Sequence, residues 1–236
     1  MLRWLYPNTC ERCGEPCQST ICPDCLAALE RVPRPICLYS GAPTYGRAEQ
    51  AGRCDACKAF PRSYDFARSA LLRTPESMEL VHTLKYGRAN HLAVSLAPLL
   101  SEMWESTPEL KAHDDWCLVP VPVTRTRLFL RGFNQAEELA RPLAHLRGLR
   151  LQQPLLRVPT ENATQTRLSA RERRLNAQKA YRLHPAWAAG RKTAAAHLLL
   201  VDDVYTTGAT TRACAALLRQ LPGVSKIGVL TLLRAE

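Results

Sequence analysis

The chain has 236 residues, of which 46% are hydrophobic, and carries a net charge of +11. That is enough apolar material for one α/β domain of ordinary size plus a small appendage. No apolar run approaches the length of a membrane span and no signal-peptide core precedes the first cysteines, so the expectation is a cytoplasmic protein without a membrane partner.

Residues 1–62 form a distinct cysteine-rich module. Eight of the ten cysteines fall within the first 60 residues, among several Pro and Gly and with little helical or strand periodicity. In a reducing compartment such clustering points to metal ligands rather than disulfides. Cys10-x₂-Cys13 followed by Cys22-x₂-Cys25 supplies four thiolates in two knuckles, the pattern of a closed, tetrahedral, structural zinc site. Cys37, Cys54 and Cys57 resemble a second such site with one ligand missing, and Cys17 lies between the knuckles as a spare. Cys117 and Cys214 fall in apolar patterns and read as small core residues.

From residue 63 to 236 the pattern becomes that of an α/β domain. Phe66–Leu72 reads as a strand, and Thr74-Pro75-Glu76 as a helix start with a capping Thr and Pro at the first position. Leu92, Leu96, Leu99, Leu100 and Met103 share one face of a second helix. Trp116–Val121 is a buried-strand candidate, followed by a helix over Ala136–Leu146 with Asn134 and Glu137 as a capping box. Between Val123 and Arg174 there are eleven Arg and no Lys against four Glu. This is either a solubilising basic surface or one built for a polyanion, whether a pyrophosphorylated substrate or single-stranded nucleic acid. His197–Val201 is a short continuous apolar strand, Cys214, Leu217, Leu218 and Leu221 mark a helix face, and Val224–Leu233 is a last strand. Strands alternating with helices predict a mostly parallel twisted sheet with flanking helices.

The turn after His197–Val201 carries the chemistry. Asp202 and Asp203 stand at the carboxyl end of an apolar strand, where open α/β sheets bind ligands. Thr206, Thr207, Gly208, Ala209 and Thr210 then lead into a helix whose free N–H groups favour a phosphate. The two acids suit ribose hydroxyls or a hydrated Mg²⁺ better than they suit phosphate.

Val201–Thr211 resembles the phosphoribosyl pyrophosphate signature of type I phosphoribosyltransferases. Lys85-Tyr86-Gly87, Val119-Pro120-Val121-Pro122, Arg131-Gly132-Phe133-Asn134-Gln135, and Gln165 through Leu168-Ser169, Arg173 and Asn176 narrow the resemblance to the ComF/GntX family. The likeness runs from Cys10 to Leu233, and the amino-terminal cysteines fit it too. It implies phosphoribosyl pyrophosphate, or a related sugar phosphate, bound with Mg²⁺ in a setting of DNA uptake and utilisation. Single-stranded DNA and a helicase-like competence protein are the further partners it implies. By position, Lys85 and Tyr86 look like the first pyrophosphate loop, and Arg127 and Arg131 like part of a basic hood. Asp202, Asp203 and Arg131 would then be the catalytic residues of a pentosyl transferase. From the residues alone, Lys85 reads equally well as a helix-terminal cation, and Asn134 and Gln135 equally well as caps. Where fuller members of the family have a second Cys-x₂-Cys, this chain has Cys37-Leu-Tyr-Ser40. Either that site has decayed or a fourth donor, with Cys17 as a candidate, comes from elsewhere.

Overall fold

The computed structural model describes residues 9–45, 54, 57, 62–87, 91–159, 179–190, 193 and 195–235. At its centre five strands, all parallel, run in the order β3-β2-β6-β7-β1. They are β1 (Phe66–Leu72), β2 (Trp116–Pro120), β3 (Arg150–Leu151), β6 (His197–Tyr205) and β7 (Lys226–Arg234). A separate antiparallel pair, β4 (Leu155–Arg157) and β5 (Tyr181–Leu183), sits beside the sheet.

The helices follow from local chemistry. Short α1 (Pro23–Ala27) belongs to the cysteine module. In α2 (Pro75–Tyr86), Thr74 Oγ1 accepts from the Ser77 amide at 3.2 Å while Ser77 Oγ accepts from the Thr74 amide at 2.9 Å, so two otherwise unpaired donors are satisfied reciprocally. The apolar stripe of α3 (Leu92–Glu105) buries Leu92, Leu96, Leu99 and Leu100, and α4 (Pro108–Lys111) follows it. Two helices follow β2: α5 (Arg125–Arg131) and α6 (Gln135–Arg147). After β5 comes α7 (Pro185–Ala188), and α8 (Ala209–Leu218) joins β6 to β7.

Strand alternation assigns the two layers. Trp116, Leu118, Leu199 and Val201 face the core shared with α2, α3 and α6. Cys117, Val119, Leu198 and Leu200 face the core shared with α8 and β5. Being covered on both faces is what allows β6 to read as an uninterrupted apolar run.

The structure differs from the sequence expectation in three places. The basic stretch after β2, for which no element was predicted, is helix α5, begun by Thr124, whose hydroxyl accepts from the Arg127 amide, and ended by Gly132 at φ 82°. The box expected from Asn134 and Glu137 is half formed: Asn134 Oδ1 accepts from the Ala136 amide, whereas Glu137 pairs with Arg141 one turn on. Strand β6 continues past Val201 to Tyr205, because its backbone stays paired with β7 as far as Arg234.

The cysteine module lies along the outer edge of β1. Leu72 N donates to Glu30 O at 2.9 Å, Val32 N to Ala70 O at 3.3 Å and Ala67 N to Tyr39 O at 2.6 Å. The edge strand therefore finds its missing hydrogen-bond partners within its own chain.

Packing between β1, β6 and β7 is close at Gly228, where an added Cβ would lie 2.6 Å from Phe66 Cζ and 2.7 Å from Leu199 Cδ1. Gly228→Ala is expected to cost about 2 kcal/mol through overpacking and to lower the melting temperature by about 4–8 °C in a thermal scan. An unchanged melting temperature would show that these three strands are packed more loosely than described.

Candidate functional site

Chain order places the site. From β2 the chain moves outward to β3, while β6 lies on the other side of β2, so the connections diverge between β2 and β6. A crevice opens at the carboxyl ends of strands where connections part in this way. Asp202 and Asp203 occupy this end of β6, and Pro120 this end of β2.

Asp203 is 5% exposed and faces the α2/α6 side. Its Oδ2 forms an ion pair with Lys85 Nζ, and Gln135 Nε2 approaches its Oδ1 at 3.5 Å. Gln135 Oε1 accepts from Arg131 Nη1 at 3.1 Å, and Arg131 Nη2 donates to Tyr86 Oη, also at 3.1 Å. The Arg131 guanidinium lies 4.8 Å from the centre of the Tyr86 ring. Residues from three separate segments, Lys85-Tyr86, Arg131 with Gln135, and Asp203, thus meet in one continuous network. Beside it a cleft of about 350 Å³ is lined by Lys85, Tyr86, Arg127, Leu130 and Arg131, within the size range of small-ligand sites.

Asp202 is half-buried, and its Oδ1 accepts from the Asp203 amide at 2.9 Å. Desolvation, reinforced by the neighbouring charge of Asp203, holds its carboxyl well above the ordinary carboxylate range. Thr206 and Thr207 are exposed, and Gly208 at φ 70° is the first residue of α8's cap, with no side chain capping the helix. Thr207 Oγ1 accepts a long bond from the Ala209 amide at 3.4 Å, Thr210 is half-buried, and Thr211 Oγ1 donates to Gly208 O at 3.1 Å. Tyr205 and Arg212 close in beneath: an added Cβ on Gly208 would lie 2.3 Å from Tyr205 Oη. Only glycine fits there, on grounds of space as well as of φ.

Gln165, Leu168, Ser169, Arg173 and Asn176 lie outside the described residues. Sequence reasoning did not pick out Tyr205 or Arg212 as supports of the turn, and neither carries a motif that marks it. Gln135, read from the sequence equally well as a cap or a ligand, reaches Arg131 across the left-handed break at Gly132, since the two residues belong to different helices.

The four thiols of Cys10, Cys13, Cys22 and Cys25 gather within 4.8 Å of one another. Cys13 Sγ and Cys22 Sγ are 3.8 Å apart, the edge of a tetrahedron whose zinc–sulfur bonds are about 2.3 Å. Amides of Cys22 and Cys25 point at Cys10 Sγ and Cys22 Sγ at 3.3 and 3.4 Å, orienting the sulfurs. These residues fit a structural zinc ion. Cys37, Cys54 and Cys57 form a second cluster, and the neighbour at its open corner is Ser40 Oγ, 3.7 Å from Cys54 Sγ. Cys17 is engaged elsewhere, its thiol donating to Ser19 O at 2.7 Å.

At the opposite end of the sheet His113, Asp115 and His197 also cluster. There the two imidazoles stack 4.0 Å apart, and Lys226 Nζ lies 3.1 Å from His113 Nε2. Stacked rings aim their lone pairs along parallel planes, and an ammonium already occupies the cation's place.

A parallel five-stranded sheet with flanking helices makes this an α/β protein, consistent with a phosphoribosyltransferase-like fold, with a cysteine ribbon in its amino-terminal part. The double zinc ribbon domain family matches residues 1–58. The DNA utilization protein YhgH of Salmonella typhimurium is 33% identical over 219 residues, covering 90% of this chain and 91% of its own. Competence protein F of Haemophilus influenzae is 35% identical over 129 residues, covering 55% and 54%. Competence protein ComFC of Bacillus subtilis is 26% identical over 225 residues, covering 91% and 84%. The chain belongs to the ComF/GntX family. Among the described residues no helix is long and apolar enough to cross a membrane.

The raised Asp202 carboxyl has a definite consequence for stability. Its folded-state value lies above its unfolded one, so the folded chain keeps the proton while the unfolded chain releases it, and stability falls as pH climbs out of the ordinary carboxylate range. Asp202→Asn is expected to melt at a higher temperature than the parent at pH 8, with the gap closing toward pH 4. A gap of the same size at every pH would exclude burial of this carboxyl as its cause.

Proposed function

We propose that the chain binds phosphoribosyl pyrophosphate with Mg²⁺ at the β6–α8 turn and acts as a pentosyl transferase in DNA utilisation. The setting follows the names of its relatives. The observation that carries the reading is the meeting of Lys85, Arg131 and Gln135 around Asp203, beside a cleft lined by cations.

Each residue has a part that suits its chemistry. The amides opening α8 and the hydroxyls of Thr206, Thr207 and Thr210, with Gly208 and Ala209 giving close backbone approach, hold the 5′-phosphate. Asp202 and Asp203 accept from the ribose hydroxyls, and as hard oxygen donors they fit Mg²⁺, which takes one or two carboxylates and completes its shell with substrate oxygens and water. When bound, Mg²⁺ supplies a Lewis acid that shares the charge of the pyrophosphate. Lys85, Arg127 and Arg131 line the cleft where the pyrophosphate sits. As the anomeric C–O bond breaks, the electron pair leaves with pyrophosphate, and positive charge develops on the anomeric carbon and ring oxygen. The three cations stabilise the departing anion, and the acceptor's lone pair forms the new bond. Tyr86 holds Arg131 over its ring and through its hydroxyl, which fixes the direction of the guanidinium before substrate arrives.

Isothermal titration tests this directly. Binding is expected to require Mg²⁺, and Asp203→Asn or Lys85→Ala should each weaken it by about tenfold or more, roughly 1.4 kcal/mol. Arg131→Ala should weaken phosphoribosyl pyrophosphate while sparing ribose 5-phosphate, which lacks the group Arg131 faces. Absence of heat, and of any thermal shift, with the parent chain at millimolar ligand would refute the assignment.

A second reading rests on α5. No residue of this helix is buried, and Leu128, Phe129 (89% exposed) and Leu130 (76%) stand among Arg125, Arg127 and Arg131. An aromatic platform with flanking cations is how single strands are held without sequence preference. On this reading the chain handles single-stranded DNA, and a labelled oligonucleotide should bind with an affinity that falls steeply with salt. Phe129→Ala should reduce that binding by about tenfold, roughly one stacked base, and leave sugar-phosphate binding intact. A flat salt dependence would remove this reading and not the first.

A further inference from the structure

The two cysteine clusters are built on one backbone plan. Cys10-Glu-Arg-Cys13-Gly14 and Cys37-Leu-Tyr-Ser40-Gly41 both end in a left-handed glycine, at φ 76° and 71°. Gly14 N donates to Cys10 O at 2.9 Å, and Gly41 N to Cys37 O at 2.8 Å. Cys10 N donates to Glu15 O at 2.8 Å, and Cys37 N to Ala42 O at 2.7 Å. Isolated bridges join Thr9 to Pro16 and Ile36 to Pro43. The amide of Cys22 points at Cys10 Sγ at 3.3 Å, and that of Cys54 at Cys37 Sγ at 3.2 Å. Ser40 thus stands where Cys13 stands in the first knuckle. It is 1% exposed, its amide points at Cys37 Sγ at 3.4 Å, and its Oγ turns toward Cys54 Sγ.

The second knuckle also reaches the phosphate turn, by two routes. Tyr39, next to Ser40, stacks on Tyr64 at 4.6 Å and 11°, and Tyr64 Oη lies 2.6 Å from Tyr205 Oη. Ser40 O accepts from Arg234 Nη1, and that guanidinium lies 4.7 Å from the centre of the Tyr205 ring. Tyr205 in turn lies against Gly208, the residue that opens α8. Cys37, Cys57, Tyr39, Tyr64 and Tyr205 belong to one buried cluster.

We propose that Cys37, Cys54 and Cys57, with Ser40 Oγ at the fourth corner, form a second and weaker zinc centre, and that this centre positions the Tyr205–Thr211 turn through Tyr39, Tyr64 and Arg234. Three thiolates and a neutral hydroxyl bind a borderline-soft ion less tightly than four thiolates do. The first centre is therefore the permanent one, and the second exchanges its metal. Losing that ion frees the Cys37–Gly41 knuckle, and with it both ties to Tyr205.

The test uses the full chain, with zinc content measured by plasma mass spectrometry and release followed with a chromogenic chelator. The parent should hold two zinc ions that leave in two phases, and Ser40→Cys should slow the faster phase by about tenfold or more. Cys13→Ser should make the first centre release rapidly as well, while Ser40→Ala should leave a single ion. Amide hydrogen exchange reports on the turn without any sugar ligand. Withdrawing the faster zinc should speed exchange at residues 206–212 by about threefold or more. Tyr64→Phe, with both zinc ions still bound, should lessen that response. A parent chain holding one zinc, a Ser40→Cys chain releasing both ions at parental rates, or turn amides indifferent to zinc withdrawal would each overturn the proposal. None of these outcomes bears on whether phosphoribosyl pyrophosphate binds.

Discussion

Placing two carboxylates at the inner end of a covered strand is the constraint from which the rest of the site follows. A charge with little water around it needs counter-charge or donors from the protein. Asp203 obtains them from two different elements, Lys85 at the last turn of α2 and Gln135 at the first turn of α6. That requirement fixes where both helices begin and end relative to β6. Gln135 then holds Arg131, and Arg131 lies on Tyr86, which closes the circuit back to α2. Asp202 has no comparable counter-charge, and the cost shows as a carboxyl that resists ionising. A site held in this tension favours a ligand that brings cations or hydroxyl donors with it.

Most of the sheet was legible because its strands and helices obey periodicity. The apolar run at Leu198–Val201, the cap at Thr74-Pro75 and the stripe beginning at Leu92 each answer to a local rule, and each element stands where the rule puts it. Helix α5 was illegible for the opposite reason. With no residue buried it has no apolar stripe to read, so Arg-Thr-Arg-Leu-Phe-Leu-Arg looks like a basic loop. Short strands β3, β4 and β5 gave no signal either, since two or three residues cannot display an alternation.

The site was legible to a similar degree and for a related reason. Asp202–Thr210 is contiguous in sequence, so its strand–turn–helix context can be read directly. The contact of Lys85 with Asp203, 118 positions along the chain, depends on how two layers pack and has no local trace. The same holds for Tyr64 and Tyr205, separated by 141 positions and joined by a single pair of hydroxyls. Ser40 illustrates a third case: its departure from the knuckle pattern is visible in the sequence, whereas the approach of its Oγ to Cys54 Sγ depends on how residues 14 positions apart fold together.

The ribbon also completes the sheet. Backbone groups of Glu30, Val32 and Tyr39 occupy the outer flank of β1, leaving that strand no open side. Cutting away the cysteine module would therefore bare a long apolar strand whose amides and carbonyls could then recruit the same strand of a neighbouring chain. Metal loss severe enough to unravel the ribbon carries the same hazard, so in this molecule zinc status and solubility are physically bound together.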